Sequence, residues 1–291
     1  VPELPEVEVT RRRLAPILVG RVIERVETTK DSYFFLTKPD ALKRHLTGRT
    51  VRELKRLGKY LLAELDDGDR LLLHLGMTGQ LFSSAVSSAR LFSAKTRSSL
   101  TPEALREFKA DAHTHLRLHF ADGGPSVLFR DVRKFGKVRL IRAGGNDARL
   151  DKLGVDALSA SGEILFEAAR ARKIPIKSLL LDQGVIAGIG NIYADEALFL
   201  AKVRPTRGAR RVTARECQAI VASAKQVMER SIETGGSSIS DYVTPDGSDG
   251  GYQNERKVYA RKSLPCLVCE TPIRRVVIAT RSTHYCPECQ V

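Results

Sequence analysis

Four of the chain's five cysteines lie near its C-terminal end as Cys266-x2-Cys269-x16-Cys286-x2-Cys289, the spacing of a four-thiolate zinc ribbon. Each Cys-x2-Cys pair offers two sulfurs to one tetrahedral ion from a tight turn. Pro265 and Pro287 flank the turns, and the β-branched segment Ile273 to Ala279 between them suits a hairpin strand. Four thiolates leave no position open for a substrate, so the pattern predicts one structural Zn2+ holding a hairpin with no core of its own. A pair of disulfides is the competing reading, and a reducing compartment disfavours it. The fifth cysteine, Cys217, falls on a predicted helix and is read as packing.

The elements that must position this chemistry follow from charge and pattern. Across 291 residues, 48 Lys+Arg face 34 Asp+Glu, a formal net charge of +14, with 42% hydrophobic and 28% charged residues. That composition supports a folded core and excludes a disordered tail, while the positive excess calls for a polyanionic partner such as nucleic acid. No apolar stretch approaches the roughly 20 residues of a membrane span. The opening Val1-Pro2-Glu3-Leu4-Pro5-Glu6 has neither a basic region nor an apolar one, so no secretory signal is expected and the location is read as cytoplasmic, at the nucleoid. Strands are predicted at Arg70 to Leu75, over the alternation Leu116, Leu118, Phe120, at Ser126 to Phe129 and at Lys137 to Ile141. Residues 83 to 112 read as a surface loop with a short helix after Thr101. A helical half then begins with Glu163 to Lys173. Its longest helix runs from the capping box Thr213-x-x-Glu216 to a stop at Gly235-Gly236. The following segment to Asn254, rich in Gly, Ser and Asp, reads as a mobile loop.

Four separated features occur in one order: Pro2-Glu3-Leu4-Pro5-Glu6-Val7-Glu8, His74-Leu75-Gly76-Met77-Thr78-Gly79, Gly188-Ile189-Gly190-Asn191-Ile192-Tyr193-Ala194-Asp195-Glu196, and the cysteine ribbon. Together they resemble the formamidopyrimidine-DNA glycosylase family over essentially the whole chain, departing most in the 83 to 112 loop. The resemblance implies an α+β protein. An N-terminal catalytic β-sandwich with an N-terminal helix would span 1–143. A helix-two-turns-helix DNA-binding domain would span 144–255, with a lesion-closing loop at 235–254, and a four-cysteine zinc finger would span 256–291. It also implies a DNA glycosylase and abasic-site lyase of base excision repair, acting on double-stranded DNA that contains oxidised bases or abasic sites. A protein that tracks one duplex site needs no symmetry, so a monomer is the default expectation, and the short apolar stretches give no membrane partner.

The N-terminus can carry such chemistry. A free α-amino group has an ordinary pKa near 8, so a useful fraction is nucleophilic at neutral pH. A proline amine attacking a sugar C1′ can give only a cationic iminium, an electron sink for elimination. Glu3 is placed to move protons between the steps. Alone, Pro5 and the acidic residues would read as nothing more than a helix start. The resemblance makes Pro2, Glu3 and Lys59 the catalytic candidates. Val1 would turn the proline nitrogen into an amide, and is read as an initiator methionine from a GTG start codon that is removed before Pro2.

By the same resemblance, Lys59, His74, Asn191 and Arg281 hold phosphates around the lesion, and each can donate to a phosphate oxygen. Each also has a plain reading, as solvated charge, core histidine, helix N-cap and hairpin surface residue respectively. A base inside a duplex must be flipped out and its place filled. Met77 and Phe135 are the implied wedge, and Arg133 the reader of the orphaned cytosine. Val132 and Lys134 stand where the family commonly has proline and arginine. Lys177 matches a family lysine near the lesion, with an exposed lysine before a helix as the alternative. Residues 237 to 242 align with the segment closing over oxidised guanine, and a plain linker is the alternative. His113, His115 and His119 fit one strand face, lack a fourth ligand and read as structural or DNA-facing. Oxidised purines, 8-oxoguanine and formamidopyrimidines, are the expected substrates. An endonuclease VIII-like enzyme for oxidised pyrimidines, or a non-catalytic damaged-DNA binder, is the alternative.

Overall fold

The computed structural model describes residues 2–86, 110–238 and 242–291. The helix expected after Thr101, most of the 83 to 112 loop, and Ile239 to Asp241 lie outside the described residues. Two compact units are present: Val1–Asp147 with Thr234–Gln253, and Ala148–Glu233 with Asn254–Val291. Thr234–Gln253 thus groups with the N-terminal strands, and Asn254 with the helical unit.

In the first unit, helix α1 (Leu4–Leu18) starts at Glu3, whose extended backbone caps it, with Pro5 in the first turn. A capping box closes the start, with the Glu3 N–H donating to Glu6 Oε2 at 2.8 Å. The strands are β1 (Ile23–Thr28), β2 (Val51–Leu57), β3 (Tyr60–Leu65), β4 (Arg70–His74), β5 (Gly79–Ser83), β6 (Thr114–Phe120), β7 (Val127–Asp131) and β8 (Lys137–Ile141); helix α2 (Pro39–Leu46) follows β1. They form two antiparallel sheets, ordered β1-β6-β7-β5 and β2-β3-β4-β8. One apolar core joins the sheets, with Leu118 and Phe129 from the first, Leu61, Leu73 and Val138 from the second, and Leu14 and Leu18 from α1. This is the expected β-sandwich.

Strands β5 and β7 are buried at every position, so they lack the alternation that reveals a half-exposed strand. The histidines do not share one face. The pairing of β6 with β7 shifts between Thr114 and Leu116, and fully buried His115 packs 4.9 Å from Phe34, whereas His119 stays half-exposed beside Ser126. Burial pushes the pKa of His115 down.

The described parts of 235–254 are packed. Ser237, Ser238, Tyr242, Val243 and Thr244 are all buried, and Val243 joins Phe82 and Leu128 in a small apolar cluster. Polar burial here rests on hydrogen bonds, among them Ser238 N–H to Gln253 Oε1 at 2.9 Å, which composition does not reveal.

The second unit holds α3 (Gly162–Arg170), α4 (Ile176–Leu180), α5 (Asn191–Leu200) and α6 (Ala214–Glu233). A short parallel pair, β9 (Val155–Asp156) with β10 (Ile186–Ala187), and an antiparallel hairpin, β11 (Arg274–Ile278) with β12 (Arg281–Tyr285), complete it. Helix α6 starts as expected, with Thr213 N–H donating to Glu216 Oε2 at 2.8 Å, and its buried stripe includes Ile220, Val221, Ala224, Val227 and Met228. Gly162 lets α3 cross α6 closely, because a Cβ there would lie 2.4 Å from the Gln218 backbone.

Glu8, buried on α1, is held by Arg11, Arg12 and Arg56. Burial raises its pKa, but the three guanidinium hydrogen bonds outweigh burial and bring it from 4.5 down to about 2. A lowered carboxyl pKa stabilises the fold above its unfolded value, and that stability disappears as pH falls from 4.5 towards about 2. Glu8→Gln is therefore expected to flatten the acid limb of the stability curve measured by denaturant titration across this window. A wild-type acid limb in the variant would contradict the assignment.

Candidate active site

The first unit gathers its candidates at one end of the β2-β3-β4-β8 sheet. Lys59 lies in the turn between β2 and β3, next to Gly58 with φ 55°, and Arg56 fixes that turn by donating to the Gly58 carbonyl at 3.0 Å and to Glu8 Oε2 at 3.0 Å. His74 ends β4 opposite Tyr60 on β3 and Lys137 on β8, with its ring 4.7 Å from the Tyr60 ring. Its Nδ1 accepts the Gly76 N–H at 3.2 Å, which leaves the ring proton on Nε2 as a donor. Met77 follows in the turn to β5 and is half-buried.

The run after β7 supplies the other tip. Arg133 is exposed, and its guanidinium carbon sits 4.5 Å from the centre of the Phe135 ring. Val132 and Phe135 are 47% and 41% exposed. Two large apolar side chains thus stand at the surface beside a cation.

Pro2 and Glu3 are buried at the start of α1. Glu6, 1% exposed, accepts the Glu3 N–H with one oxygen and the Ser237 N–H with the other, both at 2.8 Å. The Tyr242 hydroxyl donates to the Glu6 carbonyl at 3.2 Å, and burial, then the Glu6 charge, push the Tyr242 pKa up. Gly236, with φ 87°, lies so close that a Cβ would meet Tyr242 at 2.9 Å and Glu6 at 3.2 Å. The described flanks of the 237 to 242 segment and the Pro2-Glu3 terminus are therefore fastened to the same residue. From the sequence, Glu6 reads only as a helix-start acid.

In the second unit, Lys177, Asn191 and Arg281 come together, but not as three surface donors. Lys177 is fully buried, which overturns the exposed-lysine reading. Its ammonium forms an ion pair with Asp195 Oδ1 at 2.6 Å and donates to Thr283 Oγ1 at 2.8 Å and to the Ser282 carbonyl at 3.1 Å. Held by these partners, Lys177 braces the hairpin from within. Asn191 is the first residue of α5, whose N-cap is Gly190, so the N-cap reading of Asn191 is also corrected; its Nδ2 donates to the same Ser282 carbonyl at 2.9 Å. Asp195 takes the His284 N–H at 2.8 Å. Arg281, exposed, opens β12 directly after the turn residues Ala279 and Thr280, which hold φ 46° and 64°, the left-handed pair a two-residue hairpin turn requires.

The four cysteine sulfurs lie within 4.8 Å of one another. The Cys266–Cys289, Cys269–Cys286 and Cys269–Cys289 separations are 3.9, 3.4 and 3.4 Å. Zn–S bonds of about 2.3 Å in a tetrahedron need edges near 3.8 Å, so the set fits one zinc ion. Val268 and Cys289 direct N–H groups at Cys266 and Cys286 sulfurs, at 3.5 and 3.4 Å. Phe199, Val258 and Ile273 pack against Cys266 and Cys286. Among the described residues this is the one such cluster.

Comparison with known proteins agrees with this arrangement. The family profiles for the formamidopyrimidine-DNA glycosylase N-terminal domain, its H2TH domain, and the zinc finger found in FPG and IleRS match residues 1–138, 153–243 and 263–291. Fold and ribbon thus define a helix-two-turns-helix protein with a structural zinc finger. The chain is 39% identical over 290 residues to the formamidopyrimidine-DNA glycosylase of Solibacter usitatus, covering 100% of this chain and 99% of the relative. It is 40% identical over 299 residues to that of Paracoccus denitrificans, covering both completely. The crystal structure of the MutM (Fpg) protein of Thermus thermophilus superposes with a TM-score of 0.82 at 37% identity, covering 99% of this chain and 98% of that one. A complex of Lactococcus lactis Fpg with abasic-site DNA superposes at 0.83 and 34% identity, covering 99% of each. The chain belongs to the formamidopyrimidine-DNA glycosylase family.

Breaking a buried ion pair leaves an uncompensated charge. Lys177→Met is accordingly expected to cost the protein about 3–5 kcal/mol in denaturant unfolding. A loss under about 1 kcal/mol, the range of an exposed pair, would contradict the bracing role.

Proposed function

We propose that this chain is a bifunctional DNA glycosylase and abasic-site lyase of base excision repair that releases oxidised purines, 8-oxoguanine and formamidopyrimidines, from duplex DNA. The observation that carries this reading is the fastening of the Pro2-Glu3 segment and the 237 to 242 flanks to Glu6, an arrangement that suits a nucleophile working next to a segment that reads a flipped base. The Lactococcus lactis relative, solved in complex with DNA containing an abasic site, supports the choice of ligand.

In this mechanism the Pro2 nitrogen attacks C1′ of the damaged nucleotide, the bond from C1′ to the base breaks, and the base leaves with a proton. Glu3 protonates the ring oxygen as the sugar opens, and the nitrogen lone pair forms the iminium. Loss of a C2′ proton expels the 3′ phosphate, and a second elimination expels the 5′ phosphate. Hydrolysis of the iminium frees Pro2. The Pro2 nitrogen must be a free amine, so the active protein begins at Pro2; a retained Val1 would make it an amide. Lys59, His74, Asn191 and Arg281 hold phosphates, Met77 and Phe135 fill the vacated stack, and Arg133 faces the orphaned cytosine. The zinc ribbon carries Arg281 and takes no part in bond breaking. The protein works as a monomer in the compartment that holds the chromosome.

Glu3→Gln is expected to lower single-turnover release of 8-oxoguanine by at least about 100-fold, within the range that one proton-transfer group contributes, with duplex affinity within a few-fold of wild type. Retained release would remove Glu3 from its role. Faster release of thymine glycol than of 8-oxoguanine by the wild-type protein would favour the oxidised-pyrimidine alternative.

A further inference from the structure

Asp131 ends β7, is fully buried, and has no part in the chemistry proposed above. Three donors converge on its carboxylate. The Thr78 hydroxyl and the Arg133 N–H, at 3.2 Å, donate to Oδ1, and the Gly136 N–H donates to Oδ2 at 2.6 Å. Thr78 directly follows Met77, whereas Arg133 and Gly136 bracket Lys134 and Phe135. A single carboxylate therefore ties the two turns together. Their backbones also touch, since a Cβ on Gly76 would lie 2.4 Å from the Phe135 carbonyl carbon.

The clasp has strain to hold. Lys134 sits at φ 57°, a conformation that a lysine keeps only where its surroundings over-determine it. Exposed Phe135 and Val132 would otherwise gain by folding back onto apolar surface. The Asp131 backbone is pinned as well, its carbonyl 2.9 Å from His115 Nε2, and Tyr33 donates to the Arg133 carbonyl at 3.0 Å.

We infer that Asp131 is a positioning residue that locks the Met77 turn and the Arg133 to Phe135 turn into one rigid wedge, so that both enter the duplex in a single step. This rests on the reading of Met77 and Phe135 as the stack-filling residues. A carboxylate satisfies all three donors with two acceptor oxygens; asparagine offers one acceptor oxygen and turns an NH2 group towards a donor. Asp131→Asn should loosen the turns without touching Pro2 or Glu3.

The test uses a duplex with 8-oxoguanine flanked by 2-aminopurine, whose fluorescence rises as the stack opens, followed by stopped flow. Asp131→Asn is expected to slow the opening phase and kcat/KM on this duplex by about tenfold or more, while cleavage of a single-stranded abasic oligonucleotide, which needs no wedge, stays near the wild-type rate. Phe135→Ala distinguishes failure of the wedge from failure of the clasp. If Phe135→Ala leaves the opening phase unchanged, the wedge reading itself fails. If Phe135→Ala slows it and Asp131→Asn does not, the clasp is wrong. Because Met77 still depends on the clasp when Phe135 is removed, the double variant should open more slowly than Phe135→Ala alone but by less than the product of the two single effects, and fully multiplicative slowing would overturn the clasp. Should Asp131→Asn fail to fold, Thr78→Val removes one arm of the clasp and must slow opening in the same direction; an unchanged phase in that folded variant would refute the inference.

Discussion

A carboxylate taken out of water has to be given hydrogen-bond donors, and Glu6 receives the Glu3 amide on one oxygen and the Ser237 amide on the other. This one buried group fixes where α1 begins, and so where Pro2 and Glu3 stand. It also anchors a segment more than 200 residues later in the chain. Apolar packing alone could not set this geometry so closely, because it is non-directional. Two directed hydrogen bonds to opposite oxygens of one carboxylate do.

The same device recurs. Glu8 joins α1 to the Lys59 turn through Arg56. Asp131 gathers the Met77 and Phe135 turns. Lys177 and Asp195 hold the strand that starts with Arg281. Glu196 accepts the amides of Lys257, Val258 and Tyr259, at 2.7, 2.9 and 2.8 Å, on the chain leading into the ribbon. In the turns and the hairpin the residue proposed to meet DNA sits at the tip, and a buried charged residue braces it from behind. A buried charge held by several partners is costly to disturb, so each tip is held in one conformation.

Much of this was legible in the sequence, and the rest was hidden for physical reasons. The ribbon was readable because Cys-x2-Cys spacing is local and metal geometry is strict. Helix α6 was readable because its cap and stripe lie within one continuous segment. Lys177 was not: its burial depends on Asp195, 18 residues on, and on a hairpin 105 residues away, and the sequence around a lysine in the first turn of a short helix gives no sign of either. Asn191 resembled a cap because asparagine favours that position, but Gly190 occupies it and the amide is drawn to the Ser282 carbonyl. Strands β1, β2, β3 and β5 are not legible in the sequence, because burial on both faces, or charge on one, erases the period of two. The Gly- and Ser-rich segment after α6 looked mobile by composition, although its described flanks are buried through polar contacts.

Everything proposed for the N-terminus depends on the Pro2 nitrogen forming a covalent iminium with the damaged nucleotide. Borohydride reduction during incubation with an 8-oxoguanine:cytosine duplex, followed by proteolysis and mass spectrometry of the adduct, tests it directly. The expected result is a stable DNA-peptide cross-link mapped to Pro2 at the protein's N-terminus. An adduct mapped to a lysine instead, or base release with no trapped adduct from protein that begins at Pro2, would contradict it.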